Sequence, residues 1–291
     1  MLEPLHSRFQ REFLFTLHDF NRVRSLIYRH AGIHLKESKE HMVYSRLARR
    51  LRATGKSTCR DYLDYVEHDE VEWQNFVNAL TTNLTAFFRE PHHFSILAEH
   101  LKSLATAEPR RILTIWSAAV SSGEEAYSMA MTAVEVFGTL TPPVKILATD
   151  VDTQVLRAAE KGMFTRERVE KLSTANLKRF FLKGQGAYAG FVKIRPELRE
   201  IITFRQSNLL ASDWQVNGPF DAIFCRNVMI YFDKPTQYQI LERFVPLLRP
   251  HGLLFAGHSE NFHHASRFFS ACGKTVYRVT AFTERQEAID G

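Results

Sequence analysis

The sequence predicts an α/β protein in which a doubly wound, mostly parallel sheet domain with an inserted small β-subdomain follows a small all-α domain. Three observations point there. Apolar residues recur at helical spacing through the first hundred residues. From Arg111 onward strand and helix patterns alternate. One interval, residues 162–200, breaks that alternation with glycine turns and the short alternating run FVKIR, the mark of an inserted β-ribbon.

The helical part comes first, over residues 1–82. In DFNRVRSLIYRHAGI the apolar Phe20, Val23, Leu26 and Ile27 share one helix face, and Gly32 is a natural stop. A second helix is predicted over residues 40–52, with Val43, Leu47 and Leu51 as its apolar stripe and Arg46, Arg49 and Arg52 away from it. Residues 45–60 hold Arg46, Arg49, Arg50, Arg52, Lys56 and Arg60 and no acid, which leaves two readings open: a solvated face or a docking face for an acidic partner. The net charge of +6 suits the second.

Residues 83–110 read as a linker, and residues 111–291 as the sheet domain. Its strands are RILTIWS, KILATD, IITFRQSNLL, FDAIFC, GLLFAG and TVYRVT, with helices over about residues 123–137, 153–161 and 235–248. Ligands of such a sheet belong at the carboxyl ends of its strands. The ribbon is expected at about residues 175–200, and the polar tail from Glu284 should fray. No run approaches about 18 apolar residues, and MLEPLHSRFQ lacks an apolar signal core, so a cytoplasmic protein without direct membrane insertion is expected. Cys59, Cys225 and Cys272 form no CxxC pair and are read as reduced.

The stretch RILTIWSAAVSSGEEAYSMAM opens like a nucleotide-binding fold but has only Gly123 where a dinucleotide site carries three glycines. Ser122 and Glu125 have capping-box spacing, which would start the helix at Gly123. Small residues at Ser117, Ala118, Ala119, Ser121 and Ser122 would let a ligand approach the backbone. Glu124 and Glu125 would repel a pyrophosphate; either they favour a cationic ligand without phosphate, such as S-adenosylmethionine, or they merely satisfy the helix dipole. Asp150 ends the second strand, where an acid accepts hydrogen bonds from ribose hydroxyls, while Asp152 reads as a helix cap. Asn208 and Leu209 after the third strand would bracket an adenine, and the fourth strand delivers Arg226, Asn227 and Tyr231 to the same end. Tyr231 alone reads equally as core.

The runs TTNLTAFFRE, IWSAAVSSGEEAYSMAM, ATDVD, FDAIFCRNVMIYFDK and LLRPHGLLFAGHSENF together resemble the chemotaxis receptor glutamate methyltransferases, the CheR family, over about residues 15–280. The resemblance implies a Rossmann-like S-adenosylmethionine domain, S-adenosylhomocysteine as product, and the cytoplasmic domain of chemotaxis receptors as substrate. By motif it implies cofactor contacts at Asn83, Thr85, Arg89, Glu124, Asp150, Asn208, Leu209, Arg226 and Asn227. It puts Arg89 and Tyr231 nearest the transferred methyl and gives them catalytic roles. Arg46, Arg49, Arg50 and Arg52 become receptor contacts. Lys183, Gly184 and Gly186 of LKGQG resemble the turn with which some members hold a receptor's carboxyl-terminal tether peptide, with Lys183 where Arg is usual. Ala126 replaces the family's proline, a change a helix tolerates.

A monomer acting without nucleic acid is expected. The competing readings are a nucleic-acid methyltransferase and a non-catalytic S-adenosylmethionine-binding scaffold; the missing glycines disfavour a dinucleotide oxidoreductase. No metal is expected, because His92–His93 and His263–His264 are adjacent pairs pointing different ways, and His258 with Glu260 lacks a third ligand.

Overall fold

The computed structural model describes residues 11–280; the segment MLEPLHSRFQ and the tail from Glu284 lie outside the described residues. The chain divides into two units, residues 1–81 and 82–291.

Helices α1 (Leu17–Ala31), α2 (Glu40–Thr54), α3 (Cys59–Val66) and α4 (Glu70–Leu80) make up the first unit. α1 starts in a capping box, with Thr16 accepting from Asp19 N while Asp19 accepts from Thr16 N, and stops at Gly32, whose φ of 65° ordinary residues resist. The predicted stripe residues Phe20, Val23, Ile27, Val43, Leu47 and Leu51 are buried.

The basic face of α2 is not uniform, which corrects its reading as one docking face. Arg46 Nη1 donates to Leu80 O (2.9 Å) and Thr81 O (2.7 Å), satisfying carbonyls at the end of α4. Arg50 forms a two-pronged pair with buried Glu72 (2.9 and 2.5 Å), which also accepts from the Tyr62 hydroxyl at 2.7 Å. Only Arg49 and Arg52 of the four remain exposed, Arg52 pairing with exposed Glu12 at 3.1 Å. Arg50→Ala leaves the Glu72 carboxylate buried without its counter-charge, so it should cost about 3–5 kcal/mol of stability, against about 0.5 kcal/mol or less for Arg49→Ala. Urea denaturation midpoints of the two variants check this.

In the second unit α5 (His92–Ala107) precedes β1 (Leu113–Ser117), α6 (Glu124–Phe137), β2 (Val144–Asp150) and α7 (Thr153–Lys161). A small antiparallel sheet follows, built from β3 (Met163–Thr165), β4 (Phe181–Lys183) and β5 (Phe191–Ile194) in the order β3-β5-β4. Short helices α8 (Arg166–Val169), α9 (Thr174–Phe180) and α10 (Pro196–Glu200) surround it in sequence. The ribbon thus starts upstream of residue 175. Its Gly184 is dictated by the ribbon itself, since a Cβ there would lie 2.1 Å from Tyr188 O.

The main sheet resumes with β6 (Ile202–Gln206), β7 (Phe220–Phe224), α11 (Lys234–Phe244), β8 (Leu248–Phe255), β9 (Phe269–Gly273) and β10 (Val276–Val279). α11 ends before the predicted residue 248, because Pro246 cannot donate a helical hydrogen bond and the chain passes through a short 3-10 turn into β8. Strand order is β6-β2-β1-β7-β8-β10-β9, the first five parallel and β10 and β9 antiparallel. Successive side chains leave opposite faces of β1, so Ile115 joins one core layer, with Tyr127 and Met129 of α6, and Trp116 the other, with Trp214 and Phe244. The chain runs outward from β1 to β2 and β6 on one side and from β7 to β8 on the other. The order therefore reverses between β1 and β7, which opens a crevice at their carboxyl ends.

Candidate functional site

The crevice is floored by the turn between β1 and α6. Gly123 adopts a φ of 98°, and a Cβ there would meet Ala159 Cβ at 2.9 Å, so this one glycine permits close packing of α6 on α7. That geometry overturns the predicted capping box. α6 begins at Glu124, Gly123 is its cap, and the Ser122 hydroxyl donates to Glu124 Oε2 at 2.8 Å instead of accepting from Glu125 N.

The two glutamates are not a free anionic cup. Glu124 is fully buried and pairs with Arg168 at 2.6 Å. Glu125 accepts from the Ser117 hydroxyl at 2.7 Å and from Arg226 Nη1 at 2.9 Å; burial raises its pKa in spite of both contacts. The charge left to meet a ligand sits at the end of β2. Asp150 accepts from Ser121 N (2.8 Å) and Asp152 N (3.0 Å), yet burial still lifts its pKa to about 6. Asp152 caps α7, accepting from Gln154 N at 2.9 Å, and its second oxygen accepts from Asn83 Nδ2 at 2.8 Å. Thr85, two residues on, is half-buried.

Beyond β6, Asn208 Oδ1 accepts from Leu210 N at 2.9 Å in a side-chain-closed turn, and Leu209 is buried, its carbonyl accepting from Trp214 Nε1 at 3.0 Å. Beyond β7, Arg226 is buried between the Phe94 and Phe224 rings, 5.8 and 5.9 Å from their centres. It pairs with Glu125, lies 3.4 Å from Glu90 Oε2 and donates to Arg89 O. It is a buried hub that ties Glu125, Glu90 and the Arg89 backbone together. Asn227 has a φ of 59° and donates its N–H to Glu260 Oε2 at 2.9 Å; a Cβ on Gly257 would fall 2.2 Å from its amide. Tyr231 closes a 3-10 turn (Met229–Tyr231) and is half-buried.

Arg89 lies between two strained residues, Phe88 (φ 50°) and Glu90 (φ 58°). Its Nη1 donates to Leu84 O at 2.7 Å, and among the described residues its guanidinium has no carboxylate partner. Arg226 and Arg168 have theirs.

Compared with known proteins, residues 83–278 match the family model described as "CheR methyltransferase, SAM binding domain", and residues 18–81 match "CheR methyltransferase, all-alpha domain". The chain belongs to the CheR methyltransferase family. It is 54% identical over 267 residues to chemotaxis protein methyltransferase 2 of Pseudomonas aeruginosa, covering 92% of this chain and 95% of that one. It is 53% identical to the chemotaxis protein methyltransferase of Klebsiella aerogenes (90% and 89% covered) and 51% identical to that of Escherichia coli (90% of each). The resemblance read from the motifs is borne out, as is the predicted fold class, and S-adenosyl-L-methionine is the cofactor.

The crevice of this CheR protein fits that cofactor. Asp150 offers a buried carboxylate at the end of β2, and the Ser207 hydroxyl, whose residue's N–H bonds to Asp150 O at 3.0 Å, is buried without a hydrogen-bond partner among the described residues. Among the described residues no helix is long and apolar enough to cross a membrane.

Sequence reasoning missed Glu90 and misread its neighbours. Glu90 accepts from His258 Nδ1 (3.0 Å) and Asn227 Nδ2 (3.3 Å). Burial pushes its pKa up, but His258, Arg226 and Asn227 together outweigh that and hold it down at about 2. His92 and His93 do not diverge as expected, for their ring centres are 4.1 Å apart. Burial first, then Arg226 and His92, lower the His93 pKa to about 4. Glu260 and His258, considered only as metal ligands, instead brace the loop after β7.

Proposed function

We propose that this methyltransferase esterifies glutamate side-chain carboxylates in the cytoplasmic domains of chemotaxis receptors, a protein-glutamate O-methyltransferase activity. Arg89 carries the reading. A guanidinium without a carboxylate partner, at a crevice where the other arginines are paired, is a docking group for a carboxylate brought by the substrate. The relatives named chemotaxis protein methyltransferase supply the receptor.

S-adenosylmethionine supplies a methyl group on a sulfonium, an electrophile that needs no further activation. A glutamate carboxylate, with a pKa of about 4.3, is already ionised at neutral pH, so no general base is required. The protein's task is positioning, with the attacking oxygen held roughly 3 Å from the methyl and in line with the leaving sulfur. Arg89 aligns that carboxylate and Tyr231 lines the transfer path. Asp150 accepts from the ribose hydroxyls, while Asn208 and Leu209 border the adenine. Asn83, Thr85, Glu124, Arg226 and Asn227 complete the cofactor's surroundings, Glu124 and Arg226 through the backbone they hold in place.

The product ester removes one negative charge from the receptor. Arg49 and Arg52, exposed on α2, meet the acidic receptor surface, and exposed Lys183 with Gly186 receives a receptor tether peptide at the edge of the small sheet. The protein works in the cytoplasm at receptor arrays, as a monomer and without nucleic acid. Incubation with methyl-labelled cofactor and receptor cytoplasmic fragments should give base-labile label on glutamate; base-stable label, or label on nucleic acid, would sink the reading. Reversing Arg49 and Arg52 to Glu should raise the receptor KM by about tenfold at low salt and leave cofactor affinity unchanged. The difference should shrink as salt shortens the Debye length below about 10 Å.

A further inference from the structure

Glu90, His92 and His93 stand at the start of α5, and their side chains converge. One ligand atom from each of the three lies within 4.8 Å of the other two. Glu90 Oε2, His92 Nε2 and His93 Nδ1 are shielded from solvent, and none has a hydrogen-bond partner among the described residues.

The His93 ring is held through its other nitrogen. His93 Nε2 is 2.8 Å from Thr275 Oγ1, whose own proton goes to Lys274 O at 2.8 Å. With the Thr275 proton assigned to Lys274 O, Thr275 accepts from His93, and this tautomer has the ring proton on Nε2 and a lone pair on Nδ1. That lone pair faces Glu90 Oε2 at 3.5 Å. Two acceptors face each other across a dry gap, an arrangement that repels unless a positive centre sits between them.

Arg226 does not fill that need. Its Nη2 is 3.4 Å from Glu90 Oε2, too far for a good hydrogen bond, and its charge is shared with Glu125. A separation of 3.5 Å is likewise long for a hydrogen bond, but it is close to the about 3.3 Å between two ligands of a tetrahedral ion with bonds of about 2.0–2.1 Å. Thr275 then has the orienting part that a hydrogen-bond partner plays behind a metal-bound imidazole.

We propose that Glu90 Oε2, His92 Nε2 and His93 Nδ1 bind one divalent transition-metal ion of the zinc class, with water completing its coordination. Two imidazole nitrogens and one carboxylate oxygen suit zinc or cobalt and are a poor set for magnesium or calcium. The ion is a brace, remote from the methyl-transfer chemistry in role. It fixes Glu90, whose other oxygen holds His258 and Asn227, and so joins the start of α5 to the loops after β7 and β8. The inference does not depend on which substrate is methylated.

The test uses full-length, untagged protein stripped with chelator and titrated with zinc chloride by calorimetry, and with cobalt(II) by visible absorption. One ion per chain should bind with micromolar or tighter affinity, cobalt should show the intense absorption of a tetrahedral site, and zinc should raise the thermal midpoint. His92→Ala, chosen because His92 is the least buried of the two histidines, should keep the wild-type circular dichroism and weaken binding at least about tenfold. Glu90→Gln should weaken it similarly. No uptake by the stripped wild-type protein, or uptake equally tight in His92→Ala, overturns the proposal; the latter would assign the ion to other surface histidines.

Discussion

Replacing Arg89 by alanine should lower the single-turnover methylation rate by about 10²–10³-fold while cofactor affinity changes by less than about tenfold. Arg89 donates to Leu84 O, in its own loop, and no carboxylate among the described residues competes for it. Its loss should therefore fall on the substrate carboxylate. Orientation accounts for the size of the effect, because the attacking oxygen must stay in line and near contact distance throughout the transfer. An arginine also stabilises the ionised carboxylate before reaction, so the gain comes from alignment more than from a stronger nucleophile. Arg89→Lys separates charge from geometry: it keeps the positive charge, loses the two-pronged fork, and should recover only part of the rate. Calorimetry with S-adenosylhomocysteine supplies the affinity and rapid quench the rate. A rate within about twofold of wild type in Arg89→Ala would remove the residue from the chemistry.

The parts of the fold legible in the sequence are those written in local patterns. Strands such as FDAIF, apolar but for Asp221 and buried at all five residues, announce themselves, as does α7 with its Asp152 cap and a glycine at its end. β9 was not seen because FSACG is an edge strand with only Phe269 buried, too short and too polar to carry an alternation. The start of α6 was misread because capping-box spacing says nothing about the φ of the residue between, and Gly123 takes a value that rules the box out. Charge partnerships over long separations were invisible. Arg226 meets Glu125 and Glu90 from more than a hundred positions away, and Arg50 meets Glu72 from another helix, so the ion pairs these arginines make within the chain leave no mark on the local pattern. Arg89 itself was legible only through the NLTAFFRE motif, because nothing in local periodicity separates a docking arginine from a solvated one.

Cofactor binding should be pH-dependent, with Asp150 as its origin. Burial holds the Asp150 pKa at about 6, against about 3.9 for an unhindered aspartate. Ribose hydroxyls donate to the carboxylate and not to the protonated acid, so affinity for S-adenosylhomocysteine should be flat above about pH 6.5 and fall up to about tenfold per pH unit below about pH 6. The linkage to stability runs the other way. A carboxyl whose folded pKa is raised favours the folded state below about pH 3.9, and that contribution is lost as pH rises through about 6. At neutral pH the ligand-free protein therefore holds this charge at a cost to its stability. Asp150→Asn removes the charge and keeps one acceptor for Ser121 N or Asp152 N. It should leave the thermal midpoint near neutral pH almost unchanged, weaken cofactor binding by about 1–3 kcal/mol, and flatten the pH profile. Glu125, whose pKa burial also raises, shares the crevice and stays titratable in the variant, so any slope that survives in Asp150→Asn belongs to it. Wild-type affinity unchanged between about pH 7.5 and about pH 5, or an Asn variant that binds as tightly as wild type, would show that the acid at the end of β2 does not hold the ribose.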